Sequence, residues 1–445
     1  MEDKTTNDPV VIIGLGYVGL TLAAFMADHG FQVHGTEIRK LVLADLEKHK
    51  AFFVEANLDN VLKRVISNGS FTFSENIPEK TNNPSRIFIL TVGTPLRQDG
   101  NADITFISNV AKEVENIAHD GDFVILRSTV KLGTTNNIVR PILEANGKKI
   151  DLAFCPERTL EGAALLELGE LPQIIGADSE RERNRASEVF SKITSSVVLV
   201  SNIETAELIK LTDNVQRDIH FAISNEVARA ANNFPIKASE VISAGKLGYP
   251  RTNLASPGPV GGPCLEKDSF IFAESLNWRN SLAQSARQVN LSLVEESVNF
   301  VLSKLSVKKL KNPNISILGI AFKGSPETND LRGSVSLQIY KLLKSKLPNA
   351  KICGYDPMVS QVEVNQHGLM MHKSLEEAFE EVDIVLLANN NKRFSNLDLK
   401  SLSMKMNKPA LIYDYWGRFD NNYVFPKDVY YSSWGSHGYF SESNT

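Results

Sequence analysis

The stretch Gly261-Gly262-Pro263-Cys264-Leu265-Glu266-Lys267-Asp268 carries the densest set of groups in this sequence that could do chemistry. Two glycines admit a substrate close to the backbone, and a proline suits the first turn of a helix, so Cys264 is expected at a helix N-terminus. The positive end of that helix and the neighbouring Lys267 both favour the thiolate, the nucleophilic form of cysteine. Asp268, one turn further on, reaches the same space. A cysteine in a glycine-rich loop is by itself more often an inert small residue; here its neighbours argue for a nucleophile. Lys210 and Asn214, spaced i, i+4, project an ammonium and an amide from one helix face and could hold a developing alkoxide, although the same spacing also describes a solvated face. Pro156-Glu157-Arg158-Thr159-Leu160-Glu161 follows a strand and presents two carboxylates in a loop. Strand ends commonly supply active-site groups, whereas loop glutamates are usually only solvated.

A second constellation opens the chain. Val10 to Ile13 runs into Gly14-Leu15-Gly16-Tyr17-Val18-Gly19, which opens a helix from Leu20 to His29. Strand, G-x-G-x-x-G and helix in that order describe a Rossmann turn: Gly14 allows the tight turn, Gly16 lets the pyrophosphate approach the backbone, and Gly19 lets the helix pack closely. Glu37 stands 18 residues after Gly19, at the end of the second strand. A carboxylate there accepts hydrogen bonds from the adenosine ribose hydroxyls and repels a 2′-phosphate, which favours NAD over NADP. Arg39 and Lys40 beside it could instead hold a 2′-phosphate, and a flavin is the other alternative.

The elements that must position these groups follow from periodicity. Val10 to Gly14, Gln32 to Glu37, Ile87 to Val92, Asp122 to Ser128, Leu152 to Cys155 and Gln173 to Gly176 read as strands alternating with helical patterns, the signature of a doubly wound parallel sheet. Asn202 to Asn233 has neither Gly nor Pro and reads as one long helix, followed by more helix including Ser281 to Leu305. Strand and helix alternation restarts after Asn312-Pro313-Asn314, with strands at Ile315 to Gly319, Lys351 to Tyr355, Ile384 to Ala388 and Ala410 to Tyr413. The fold class is therefore α/β: two Rossmann-like domains, residues 1–200 and 306–445, joined by a central helical domain, residues 201–305.

Composition narrows the function classes. With 445 residues, two or three domains are expected. The net charge of −4 and the absence of a long basic run argue against a nucleic-acid partner. No apolar run reaches the ~18 residues of a membrane span, and Met1 to Pro9 is polar, so the expected location is the cytoplasm. Cys155, Cys264 and Cys353 are too few and too scattered for a disulfide framework or a four-thiolate zinc site, so each is expected to be a free thiol.

Seven separated segments give the chain a specific resemblance. They are Gly14 to Gly19; Gly93-Thr94-Pro95; Ser128-Thr129-Val130 with Gly133-Thr134-Thr135; Pro156 to Glu161; Ala206 to Asn214; Gly261 to Asp268; and Ala321-Phe322-Lys323-Gly324 with Asp330-Leu331-Arg332-Gly333-Ser334. In this order they resemble the UDP-glucose/GDP-mannose dehydrogenase family over nearly the whole length. The resemblance implies an N-terminal NAD site, a C-terminal UDP site and a homodimer formed through the central helix. It also implies a four-electron oxidation of a sugar CH2OH to a carboxylate with two NAD molecules in succession and no metal. In such a reaction Cys264 traps the aldehyde as a thiohemiacetal, becomes a thioester and is released by water, so that covalent capture divides one difficult oxidation into smaller steps.

Carried over residue by residue, Lys210 and Asn214 resemble the family's oxyanion-stabilising pair, and Asp268 its buried acid acting through an ordered water that Thr129 helps to place. Glu157 resembles the glutamate assisting thioester hydrolysis. Gly14, Gly16, Gly19, Glu37, Thr94, Thr129, Glu161, Lys267 and Arg332 fall on the cofactor side. Glu157, Thr159, Leu160, Lys210, Asn214, Arg251, Gly258, Gly261 and Lys323 fall on the substrate side, with Arg251 reaching UDP across the dimer. Two departures bear on the sugar. Pro156-Glu157-Arg158-Thr159-Leu160 replaces the Pro-Glu-Phe-Leu common in UDP-glucose enzymes, and Asp414-Tyr415-Trp416-Gly417 has no arginine before Arg418. The first resembles the N-acetylhexosamine branch, with UDP-N-acetylglucosamine, -galactosamine or -mannosamine as substrate, and the second weakens UDP-glucose, which stays the alternative. A third departure, Glu37 where Asp is commoner, should preserve ribose binding. A two-electron hydroxy-acid dehydrogenase sharing only the Rossmann half would leave a nucleophilic cysteine superfluous. A sugar-nucleotide sensor would lack one of the catalytic groups, and none is missing here.

Overall fold

Runs of apolar residues that end in glycine or polar loops build two parallel sheets. In a computed structural model, which describes residues 8–79, 85–276, 278, 280–307, 312–420 and 424–437, the first sheet contains β1 (Val10–Ile13), β2 (Val33–Thr36), β3 (Phe71–Ser74), β4 (Ile87–Leu90), β5 (Phe123–Leu126), β6 (Asp151–Phe154), β7 (Gln173–Gly176) and β8 (Val197–Val200). Its order is β3-β2-β1-β4-β5-β6-β7-β8. Pairing is parallel except between β6 and β7, which meet antiparallel at Phe154 and Gly176. Every residue of β1, β4 and β5 is buried, as expected of strands covered on both faces. Strand order reverses between β1 and β4, which places a ligand crevice outside their carboxyl ends, where Gly14 and Thr91 lie.

The second sheet contains β9 (Asn314–Leu318), β10 (Lys351–Tyr355), β11 (Met370–Met371), β12 (Ile384–Leu387), β13 (Ala410–Asp414) and β14 (Val429–Ser433). Its order is β11-β10-β9-β12-β13-β14, and all pairs are parallel. It repeats the same reversal between β9 and β12. Sequence periodicity had marked ten strands; β3, β8, β11 and β14 are the additional ones, and each is an outer strand of its sheet. An outer strand pairs on one side only, so its pattern need not be the continuous apolar run of a central strand; β3 and β14 mix in Ser and Thr, and β11 has only two residues. β8, all Val and Leu, carried a signal that the periodicity reading passed over.

Contacts group the chain into two compact units, residues 1–214 with 270–278 and residues 215–269 with 279–445. The long helix Ile203–Ala231 belongs to the first up to Asn214 and to the second from Val215. In the first unit Glu207, wholly buried on this helix, accepts hydrogen bonds from the Gly133 N–H (2.6 Å), the Thr135 N–H (2.9 Å) and the Thr135 hydroxyl (2.6 Å). Burial raises its pKa, opposed by those hydrogen bonds. Leu211 of the same helix packs with Ala102 and Ile271, while Glu274 pairs with Lys131 at 2.9 Å and accepts from the Ala102 N–H.

In the second unit the same helix carries Asp218, also wholly buried. Its carboxylate accepts from Arg287 Nη1 (3.0 Å), Asn290 Nδ2 (2.8 Å) and the Ser269 hydroxyl (2.9 Å). Arg287 Nη2 continues to the Val260 carbonyl at 2.8 Å. Asn225, two turns beyond Asp218, holds both the N–H and the C=O of Gly258 and accepts from the Trp434 indole. Among the described residues no helix is long and apolar enough to cross a membrane.

Glu207→Ala leaves three buried donors unpaired, which costs on the order of 3 kcal/mol. The midpoint of thermal unfolding should fall by several degrees, while Glu207→Gln, which keeps one acceptor oxygen, should lose less. Equal midpoints for wild type and Glu207→Ala would show that the contact contributes nothing net.

Candidate active site

At the carboxyl ends of β1 and β4 the sequence folds into a cradle with an open backbone. Gly14 has φ +95°, a conformation that side chains rarely adopt. A methyl at Gly19 would strike the Gly14 carbonyl and lie 2.6 Å from Thr91 Oγ1, so close packing of the helix Tyr17–Asp28 requires glycine there. At Gly16, the N-cap of that helix, a methyl would meet nothing within 4 Å. The space beside that bare backbone lies at a helix N-terminus, which suits a pyrophosphate. Thr91 donates to the Gly14 carbonyl at 2.7 Å, and Thr94 donates to the Thr129 carbonyl at 2.6 Å, tying the loop after β4 to the loop after β5.

Glu37 is buried at the end of β2 and accepts from the Leu15 N–H (3.1 Å), the Arg39 N–H (2.9 Å), Arg39 Nε (3.0 Å) and Arg39 Nη2 (2.7 Å). Burial pushes its pKa up, but the Arg39 hydrogen bonds and charge prevail and hold it below the usual carboxylate value. Glu37 is therefore an anion at neutral pH. An open glycine turn, a helix N-terminus and a carboxylate at the second strand fit the pyrophosphate and ribose of NAD.

The loop after β6 brings a second group together in the same unit. Lys210 Nζ lies 3.9 Å from Glu157 Oε2, and both side chains are largely buried. The other Glu157 oxygen takes the Thr159 N–H and hydroxyl. The Leu160 N–H is held by Glu167 at 2.6 Å, and Arg158 pairs with Asp213 at 2.9 Å, so the loop is clamped on both flanks. Asn214 is buried one turn beyond Lys210, and Glu161 is partly buried. Cys155, next to this loop, is sealed, and burial, against the charge of Arg127, pushes its thiol up to about 12. It is no nucleophile near neutral pH.

In the second unit Cys264 is exposed, immediately before the helix Leu265–Glu274, and none of the three cysteines forms a disulfide. Its carbonyl accepts from the Lys267 N–H (3.2 Å) and the Asp268 N–H (2.9 Å), the first turn of that helix. Asp268 is wholly buried and pairs with Lys267 Nζ at 2.7 Å. Lys267, expected to assist the thiolate, thus also has a carboxylate partner, and the helix begins directly after Cys264. The glycines before the cysteine dock against the loop after β9. Gly262 donates to the Gly333 carbonyl at 3.0 Å, a side chain at Gly262 would overlap the Phe322 ring, and one at Gly333 would meet the Glu266 carboxyl at 2.7 Å. Two segments about 60 to 70 residues apart in sequence thereby form one surface.

On that surface Arg332 pairs with Asp330 at 2.6 Å, and Lys323 Nζ lies 5.3 Å from the centre of the Phe322 ring. Gly258 passes so close to Trp416 that a methyl would sit 2.8 Å from the ring. Gly261 abuts Gly333, with Val335 3.0 Å from where a methyl would stand. Arg251 is exposed and stacks on Tyr249, with its guanidinium 4.6 Å from the ring centre.

Sequence reasoning passed over Glu207, Asp218, Asn225, Arg287 and Asn290. A signal existed for the first three. Glu207, Lys210, Asn214, Asp218 and Asn225 are spaced i, i+3, i+7, i+11, i+18 along one helix, a polar stripe where an apolar face was expected to lead. Among the described residues no cluster of His, Cys, Asp and Glu could hold a metal ion.

Comparison with known proteins accords with this arrangement. Residues 8–194 match the UDP-glucose/GDP-mannose dehydrogenase family, NAD binding domain; residues 204–292 match its central domain, and residues 316–421 its UDP binding domain. The chain is 30% identical over 421 residues to the UDP-N-acetyl-D-mannosamine dehydrogenase of Methanocaldococcus jannaschii, covering 93% of each chain. Its fold is similar to a solved UDP-D-ManNAc dehydrogenase from Pyrococcus horikoshii, with TM-score 0.85 and 27% identity over 97% of this chain and 100% of that one. A solved UDP-N-acetyl-mannosamine dehydrogenase from Staphylococcus aureus gives TM-score 0.82 and 28% identity over 96% and 98%. The chain belongs to the UDP-glucose/GDP-mannose dehydrogenase family and is an NAD-dependent oxidoreductase acting on a UDP-sugar.

Proposed function

We propose that this chain oxidises the C6 hydroxymethyl of a UDP-N-acetylhexosamine to the uronate through a thiohemiacetal and a thioester on Cys264. The observation that carries the reading is the exposed Cys264 at a helix N-terminus, in a glycine turn shaped by Gly333 and Phe322, with a buried carboxylate one turn along. NAD, when bound, accepts one hydride in each of the two oxidations. After the first, Cys264 Sγ adds to the aldehyde carbon. After the second, the same carbon is a thioester, and water replaces sulfur to give the carboxylate and restore the thiol. The alkoxide and tetrahedral oxyanions need fixed donors, a role assigned to Lys210 and Asn214. Asp268 takes and returns protons through a water that Thr129 helps to place, and Glu157 assists attack of water on the thioester.

Gly14, Gly16, Gly19, Glu37 and Thr94 are assigned to NAD, with Glu161, Lys267 and Arg332 in support. Thr159, Leu160, Gly258, Gly261 and Lys323 are assigned to the UDP-sugar. The names of the relatives above favour the N-acetylmannosamine epimer as the first substrate to test, and Arg158-Thr159 after Glu157 favours an N-acetylhexosamine over glucose. A division into residues 1–200, 201–305 and 306–445, and a cytoplasmic homodimer, belong to the same reading. The dimer is supported by Leu208 and Ile223, apolar and exposed on the long helix, and Arg251 then reaches the nucleotide of the second subunit.

Three outcomes test the reading. NADH formation with UDP-N-acetylmannosamine, -glucosamine, -galactosamine and UDP-glucose should be greatest for an N-acetylhexosamine and reach two NADH per sugar consumed; one per sugar refutes the thioester route. Cys264→Ser should lower turnover about a thousandfold or more while keeping UDP-sugar affinity, because a serine hydroxyl is a far weaker nucleophile at neutral pH. Undiminished turnover would exclude Cys264 as nucleophile. At pH 7.5 iodoacetamide should modify Cys264 and spare Cys155 in the folded chain, since the Cys155 thiol is sealed and held near 12. Peptide mapping that finds Cys155 labelled first would contradict its burial.

A further inference from the structure

The Glu37 carboxylate, assigned above to the adenosine ribose, has no acceptor position left to give. A carboxylate offers about four lone-pair positions. Oε1 receives the Arg39 N–H and Nε, and Oε2 receives the Leu15 N–H and Arg39 Nη2. Two of these donors are backbone groups fixed by the turns after β1 and β2. The other two belong to a single movable guanidinium, on a side chain about half exposed. A ribose diol needs two acceptor positions, the same number that this guanidinium occupies.

We propose that Arg39 is a specificity-determining residue for the cofactor: its guanidinium holds the ribose-diol position on Glu37, NAD enters by exchange with it, and Glu37 in turn keeps Arg39 from serving a 2′-phosphate. The inference rests on the assignment of Glu37 to the ribose. Arg39 has a place to go when displaced. Besides Glu37, its guanidinium lies 4.9 Å from the centre of the Phe52 ring and donates to the Leu15 carbonyl at 3.4 Å, and the ring offers it a face on which to rest when the hydrogen bonds to Glu37 are given up. It remains tethered two residues from the ribose site, where an arginine is the group that accommodates a 2′-phosphate. Preference for NAD over NADP is then a property of the pair: the anion repels the phosphate, and the cation that could bind it is neutralised.

Direct binding separates the roles without turnover. Dissociation constants for NADH and NADPH, read by nicotinamide fluorescence on the full chain, are compared for wild type, Arg39→Met, Glu37→Gln and the double variant. Arg39→Met, which keeps the stem but removes the competing donors, should tighten NADH by about threefold to tenfold and leave NADPH weak. Glu37→Gln releases Arg39 and should weaken NADH while tightening NADPH by about tenfold or more, and the double variant should lose that gain. Circular dichroism and UDP affinity confirm that each variant is folded. Weaker NADH binding in Arg39→Met, or a NADPH gain that survives in the double variant and so belongs to another cation such as Lys40, overturns the proposal. Unchanged NADH affinity in Glu37→Gln removes the ribose assignment itself, an outcome distinguishable from failure of the Arg39 exchange alone.

Discussion

The buried pair of Arg287 and Asp218, 3.0 Å apart and shielded from water, is the contact on which the cysteine loop depends. Two charges withdrawn from solvent are tolerated only where the remaining hydrogen-bonding positions are filled. Asp218 meets that condition through Asn290 and Ser269, and Arg287 spends a further donor on the Val260 carbonyl, four residues before Cys264. Breaking such a pair costs about 3–5 kcal/mol, a large part of the ~5–15 kcal/mol by which a native protein is stable. The strap from Gly258 to Val260 is therefore held by buried polar contacts, with Asn225 fixing both backbone groups of Gly258.

The first unit uses the same device on the same helix. Glu207 closes the turn from Gly133 to Thr135 with three short hydrogen bonds, and in doing so sets the orientation of the helix that presents Lys210 and Asn214. Lys210 then finds Glu157, whose loop is clamped by Glu167 and by the pairing of Arg158 with Asp213. Glu207, Glu157 and Glu167 each accept from a backbone N–H. The reason is geometric: loops that must bring a backbone close to a ligand cannot satisfy their own N–H groups by regular pairing, and a buried carboxylate can satisfy several at once.

Burial separates the three sulfurs. Cys155 sits under the loop of Glu157 with its thiol held far above neutrality by burial, and Cys353, half-buried in β10, is also pushed up by burial. Cys264 alone is exposed, and it stands at the positive end of a helix. Lys267, three residues on, pairs at 2.7 Å with the buried carboxylate of Asp268.

The sequence by itself determined the elements that bury both faces or need a special backbone. Central strands are legible as continuous apolar runs because no solvent-facing residue interrupts them, and the turn at Gly14 to Gly19 is legible because only glycine fits its φ and its close approach to Thr91. The helix start at Cys264 was legible from the proline before it. Three of the four outer strands gave little signal, since pairing on one side places little demand on residue type; β8 was readable and was passed over. Tertiary structure alone decided which polar residues are buried and what they hold. Nothing in local spacing says that Arg287 reaches Asp218 or that Gly262 docks on Gly333, because each contact joins distant segments whose meeting is set by the packing of the elements that carry them.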